Sequence, residues 1–141
     1  MKVIVEVTGV QTIDGEKNDS QIICEGTYQY TKEKAVIKYK HIDANAEDEY
    51  STTIELSSSG MTMIKEGQFS STMQFAPSMK YTGTYSTPFG CLNINVLTDY
   101  IDVYLDEDGG MIRLAYVLEM GNMVNSLNEL CIKVKPKLLE R

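Results

Sequence analysis

From Val3 onward, apolar and polar residues alternate with a period of two, and the 3.6-residue spacing of an amphipathic helix is nowhere sustained. Val3, Val5 and Val7 share one face of a first strand, 3–11. Asp14-Gly15, then Asn18, Asp19 and Ser20, supply turn residues before strands at 21–30 and 35–42. An acidic connection at 45–49 leads to 51–56, where Thr53-Ile54-Glu55-Leu56 marks a half-buried strand. Ser57-Ser58-Ser59-Gly60 and Glu66-Gly67 bound 61–65, and 68–75 ends at Ala76-Pro77-Ser78. The pattern resumes at 79–86, 91–96, 99–105, 111–120 and 127–134.

Roughly ten or eleven strand segments follow one another with short turns, and no crossover is long enough to hold a helix. Parallel pairing needs such crossovers, so the expected sheet is an antiparallel meander. A meander of this length removes its exposed edges by curling up. The expectation is an all-β fold closed into one barrel, with a two-sheet β-sandwich as the alternative. The domain covers 1–135, and the tail 136–141 should fray. In the last hairpin, Leu105 is expected opposite Ile112, Val103 opposite Leu114 and Ile101 opposite Tyr116, forming an apolar inner face. The loop Asp106-Glu107-Asp108-Gly109-Gly110 would connect them, with Tyr104 opposite Arg113 on the outer face.

A chain of 141 residues accommodates one core. Folding at that size buries roughly 68–70% of the unfolded chain's surface, so neither a disulfide nor a metal is required. The net charge of −7 disfavours nucleic acid and anionic membranes as partners. The apolar run at Val3-Ile4-Val5 stops at Glu6, too short for a signal-peptide core, and no membrane-spanning run follows. Cys24, Cys91 and Cys131 are odd in number and far apart, which fits reduced thiols and a cytoplasmic location.

The segment Tyr85-Ser86-Thr87-Pro88-Phe89-Gly90 is followed by Asn93-Ile94-Asn95-Val96 and Thr98. Then come Gly110-Met111-Ile112-Arg113-Leu114-Ala115-Tyr116 and a last strand containing Asn128 and Leu130. Over most of its length the chain thereby resembles the YwiB-like family of small bacterial proteins, found mostly in Firmicutes. That resemblance implies a calycin-like β-barrel, the broad shape of lipocalins and fatty-acid-binding proteins. It brings no established activity and no catalytic residues.

Catalytic chemistry has little to stand on. His41 is the only histidine, and it reads as an exposed strand-end residue beside Asp43 rather than a general base. No CxxC or HxxxH pattern offers a metal site, and the acidic hairpin loop lacks the spaced ligands of a calcium loop. Glycines are scattered among turns, so no phosphate-cradling loop is expected. Glu6, Glu25, Glu55 and Glu119 fall on the outer face by alternation; Lys38 and Lys40 share one face of the third strand, and Lys133, Lys135 and Lys137 one face of the last. Those lysines could form a basic patch able to contact an anion, although edge protection is their ordinary role.

Aromatic residues offer the best candidate site. Tyr81, Gly83 and Tyr85 share one strand face, Phe89 lies just beyond, and Tyr116 belongs to the neighbouring apolar face. Gly83 between two tyrosines leaves a gap in the wall, for a ligand or for a bend. Arg113 could hold a carboxylate in its bidentate fork if it pointed inward, whereas the hairpin register points it outward. The reading is a non-catalytic barrel binding a small apolar or carboxylate-bearing molecule through Tyr81, Tyr85, Phe89, Arg113 and Tyr116, without cofactor or metal. The alternative is a filled barrel serving as an interaction or assembly module, with a homodimer as one form.

Overall fold

In the computed structural model, which describes residues 1–42, 49–120 and 124–138, the alternating segments form ten strands and, among those residues, no helix. In chain order they are β1 (Lys2–Ile13), β2 (Glu16–Tyr30), β3 (Lys34–Ile42), β4 (Glu49–Ser57) and β5 (Gly60–Glu66). Then come β6 (Ser70–Phe75), β7 (Lys80–Thr87), β8 (Gly90–Asp106), β9 (Gly109–Met120) and β10 (Val124–Pro136). Each strand pairs antiparallel with the next. β1 also pairs with β10, from Val3 opposite Pro136 to Thr12 opposite Leu127, which closes the ring. A sandwich would have left free edges; the closed barrel leaves none.

Period-two alternation decides the interior. Val3, Val5, Ile37, Ile54, Met61, Phe75, Val96, Ile112, Leu114, Ile132 and Val134 point inward and are buried. Phe75 and Tyr116 meet across the lumen with ring centroids 4.8 Å apart. At one end the Tyr28 hydroxyl donates to Asp106 O at 2.8 Å, tying β2 to the tip of β8.

Several connections differ from the expectation. The turn residues Asn18, Asp19 and Ser20 belong to β2, paired with Gln11, Val10 and Gly9. The reversal is made earlier, at Asp14-Gly15, whose positive φ values (52° and 82°) give a tight hairpin. The segments 91–96 and 99–105 are one strand, β8. A bulge between Thr98 and Tyr100 slips its phase by one residue. Both inward sets, Ile94-Val96-Thr98 and Ile101-Val103-Leu105, therefore face the same lumen.

The last hairpin is tighter than expected: Leu105 faces Gly110, Val103 faces Ile112 and Ile101 faces Leu114. Gly109 and Gly110 (φ 114° and 141°) pair inside the ladder, and the loop shrinks to Glu107-Asp108, held by the Asp108 amide on Asp106 Oδ1 at 2.8 Å. The two-residue displacement preserves which face is apolar, but it brings Asp102, not Tyr104, opposite Arg113. β10 runs through Pro136, and the Lys137 amide donates to Lys2 O at 3.0 Å. Asp43, the acidic run 45–48 and residues 139–141 lie outside the described residues.

Gly110 is the least replaceable hairpin residue, because a Cβ there would collide with Tyr104 O. Gly15 has nothing within 4 Å of such a Cβ, so only its positive φ opposes a side chain. In urea unfolding, Gly15→Ala should cost about 1–2 kcal/mol, and Gly110→Ala should cost more. Equal losses would show that the hairpin backbone yields at Gly110.

Candidate functional site

The weakest seam of the ring lies between β6 and β7, which pair only at Ser70–Ser86 and Ser71–Tyr85. These strands are joined by the short turn Ala76–Met79, closed by the Met79 amide on Ala76 O (3.1 Å), with Ser78 at φ 62° after Pro77. A hairpin with so short a turn would ordinarily zip from the turn outward. Here the turn leans on β8 instead: the Ser78 amide donates to Thr98 O (3.3 Å) and the Thr98 amide to Met79 O (3.4 Å). β7 thus starts out bound to β8, and 72–75 separate from 80–84.

A cleft of about 570 Å³ lies at this opening. Its lining mixes inward residues (Leu56, Met61, Phe75, Tyr81) with outward ones (Glu55, Thr62, Gln74), so it cuts through the wall. Lys34 and Lys80 stand on its rim. Lys34 lies 3.8 Å from Glu55, while Lys80 forms no ion pair among the described residues. A second cleft of about 630 Å³ continues from Lys34 and Leu56 to Tyr30, Ala35, Val103 and Leu105. Val103, on the inner wall, is still 46% exposed, so the apolar lining is open at this mouth.

The structure divides the expected aromatic site. Tyr81 lines the seam cleft, its ring folded along its own strand over Gly83; a Cβ on Gly83 would come within 2.7 Å of that ring. The gap left by Gly83 is therefore filled by Tyr81. Tyr116 sits behind the cleft, against Phe75. Across from Tyr116 on the inner wall is Thr98, 2% exposed, whose hydroxyl has no hydrogen-bond partner. Tyr85 lies at the far end of β7, stacked on Phe69 (centroids 6.1 Å). Phe89 occupies the β7–β8 tip and is 96% exposed, pointing away from any wall. Arg113 is exposed on the outer face, so it lies outside both clefts.

The opposite end holds a histidine that the sequence reading misplaced, and two residues it passed over, Tyr50 and Lys65. His41 is not an exposed strand-end residue: period two places it on the inner wall with Ile37 and Tyr39, and its ring stacks on Tyr50 (5.8 Å). Lys65 lies 4.7 Å from the Tyr50 ring centroid, a cation–π contact, while Gly67 packs against that ring. Pairing of His41 with Tyr50 could have been read only from the β3–β4 register, which no short motif announces. Among the described residues, no cluster of three or more histidines, cysteines or acids could hold a metal ion. Among the described residues no helix is long and apolar enough to cross a membrane.

A model of the domain of unknown function DUF1934 matches residues 5–132. The chain belongs to the DUF1934 family. Among solved structures, the YwiB protein from Bacillus subtilis superposes with a TM-score of 0.85 at 20% identity, covering 97% of this chain and 92% of that one. The likeness shows a shared fold, and with the family match it supports the YwiB-like resemblance. No curated protein matches in sequence.

Burial sets the acid–base behaviour of this DUF1934 barrel. It pushes the phenols of Tyr28, Tyr39 and Tyr116 up to about 12; at Tyr39 it outweighs a hydrogen bond with Thr52 that acts the other way. Tyr85 is raised as well, by burial and then by Tyr50. A phenol whose folded pKa exceeds its unfolded value stabilises the fold while neutral. That contribution is complete below pH about 10 and fades as pH climbs through about 12. Thermal midpoints should therefore fall over this range, and Tyr116→Phe, which keeps the ring against Phe75, should fall less than wild type. Identical alkaline losses would remove Tyr116 as a source of the effect.

Proposed function

We propose that this protein binds a small amphipathic carboxylate at the β6–β7 seam, its apolar part against Met61, Phe75 and Tyr81 and its carboxylate beside Lys80. The single observation that carries this reading is the cleft itself. It is a break in the wall where β6 and β7 part, floored by apolar side chains and rimmed by two lysines. Sites of this kind combine a mostly apolar lining with a few convergent polar groups, and a volume of about 300–1,000 Å³ suits one small molecule. Most of the lumen is filled by the core side chains, so the ligand occupies the wall and mouth rather than the barrel axis. A calycin-like shape, which the family resemblance implies, would suit this role, although fold by itself does not establish function. The cysteines, unbonded in the structure, fit the reducing conditions of a cytoplasm.

Titration calorimetry with dodecanoate, and with dodecanol as the uncharged comparison, tests the proposal. Dodecanoate should bind, dodecanol more weakly. Tyr81→Ala and Lys80→Ala should each lower dodecanoate affinity by about tenfold, the loss of one good contact. Tyr85→Ala, at the other end of β7, should change nothing. No binding of dodecanoate, or equal losses from Tyr81→Ala and Tyr85→Ala, would sink the proposal. So would a native mass spectrum showing only a dimer with no small molecule retained.

A further inference from the structure

Six of the chain's thirteen lysines and arginines come together on one outer wall through ring closure alone. The strand order β10-β1-β2-β3 puts Lys137 next to Lys2, Lys135 opposite Ile4 and Lys133 opposite Glu6, and leaves only β2 between Lys2 and the lysines of β3, Lys38 and Lys40. In sequence these residues are up to 135 positions apart, and the chain as a whole carries −7. Within this wall the β2–β3 ladder stops at Gly26 opposite Tyr39, and the strands part beyond it. A cleft of about 390 Å³ lies at the parting, lined by Lys2, Lys38, Lys40 and Lys137 together with Glu25 and Ser51. Four lysine side chains and one glutamate thus border it. Lys137 donates to Glu25 Oε1, and that contact, with Lys2 nearby, holds the Glu25 carboxyl below its usual range. Lys40 lies 3.8 Å from Glu49, a pair exposed on both sides and worth little.

We infer that the β2–β3 cleft is a binding site for a small polyanion, a molecule carrying two or three phosphates. Two facts select a compact ligand over a long nucleic-acid strand. Four lysines border one concavity that can hold a small molecule. Among the described residues the wall also presents Ile4, Ile23 and Thr27 between the lysine rows, and the aromatic residue that lines the cleft, Tyr39, is buried and so offers no platform on which bases could stack. Lys133 and Lys135 lie outside the cleft and supply attraction at a distance, which salt screens. This site is independent of the carboxylate cleft, since the two share no lining residue.

Calorimetry with inorganic tripolyphosphate on the intact protein is the test. Binding should weaken steeply when sodium chloride rises from about 0.05 M to about 0.5 M. Lys38→Ala and Lys137→Ala should each reduce affinity about fivefold or more, and Lys133→Ala less than about twofold. Glu25→Gln should tighten binding, because it removes the one carboxylate in the cleft and releases Lys137. Circular dichroism of each variant establishes that the barrel persists. Absence of binding overturns the inference, as do equal losses from Lys133→Ala and Lys38→Ala, which would indicate a diffuse charge effect. Tighter binding of a single-stranded RNA 12-mer than of tripolyphosphate would overturn it in favour of an extended polyanion.

Discussion

Everything in this structure depends on the pairing of β1 with β10. Until the first and last strands meet, the meander is an open sheet with two unpaired edges and a half-exposed apolar face. Their ladder, from Val3–Pro136 to Thr12–Leu127, satisfies both edges at once and encloses Val3, Val5, Ile132 and Val134. Because the partners are the two ends of the chain, closure is the most non-local step in the fold, and its loop entropy must be met before the contacts form.

A closed ring also dictates where the wall can yield. Strands β8, β9, β10, β1 and β2 are long and paired along most of their length, while β6 is short and β3 meets β2 over only part of its length. The two partings, β6 from β7 and β2 from β3, are separated around the ring by four strands one way and six the other. Each carries a cleft, and their chemistries differ because one parting exposes inner-wall residues and the other gathers outer-wall lysines. The first offers Met61, Phe75 and Tyr81; the second offers Lys2, Lys38, Lys40 and Lys137. Neither set follows from a motif. Both follow from where hydrogen-bonded pairing stops.

The aromatic site shows how far alternation reaches. Tyr81, Gly83 and Tyr85 do share a face, as period two requires. Alternation gives no position along the barrel axis, so it could not tell that Tyr81 stands at one end and Tyr85 near the other, or that Phe89 sits on a tip beyond the wall. Arg113 was correctly assigned to the outer face, but its expected neighbour Tyr104 was displaced by two residues once the glycine pair entered the ladder. His41 was misjudged for a simpler reason: a lone polar residue near a strand end reads as exposed, whereas its face is set by Ile37 and Tyr39 before it.

The sequence by itself determined an all-β chain, the antiparallel meander and the apolar face of the first strand and the last hairpin, because these follow from local alternation and turn chemistry; closure into a barrel rather than a sandwich rested on the β1–β10 ladder. The phase slip at Asp99 is visible there too, as two apolar series that fail to join with period two. Only the tertiary structure decided the register of the last hairpin, the parting of β6 from β7, the turn's preference for β8, and the meeting of lysines from opposite ends of the chain. Those outcomes depend on competition between distant backbone partners, Thr98 against the facing edge of β6 for the same turn, and a residue's neighbours in sequence carry no record of which partner wins.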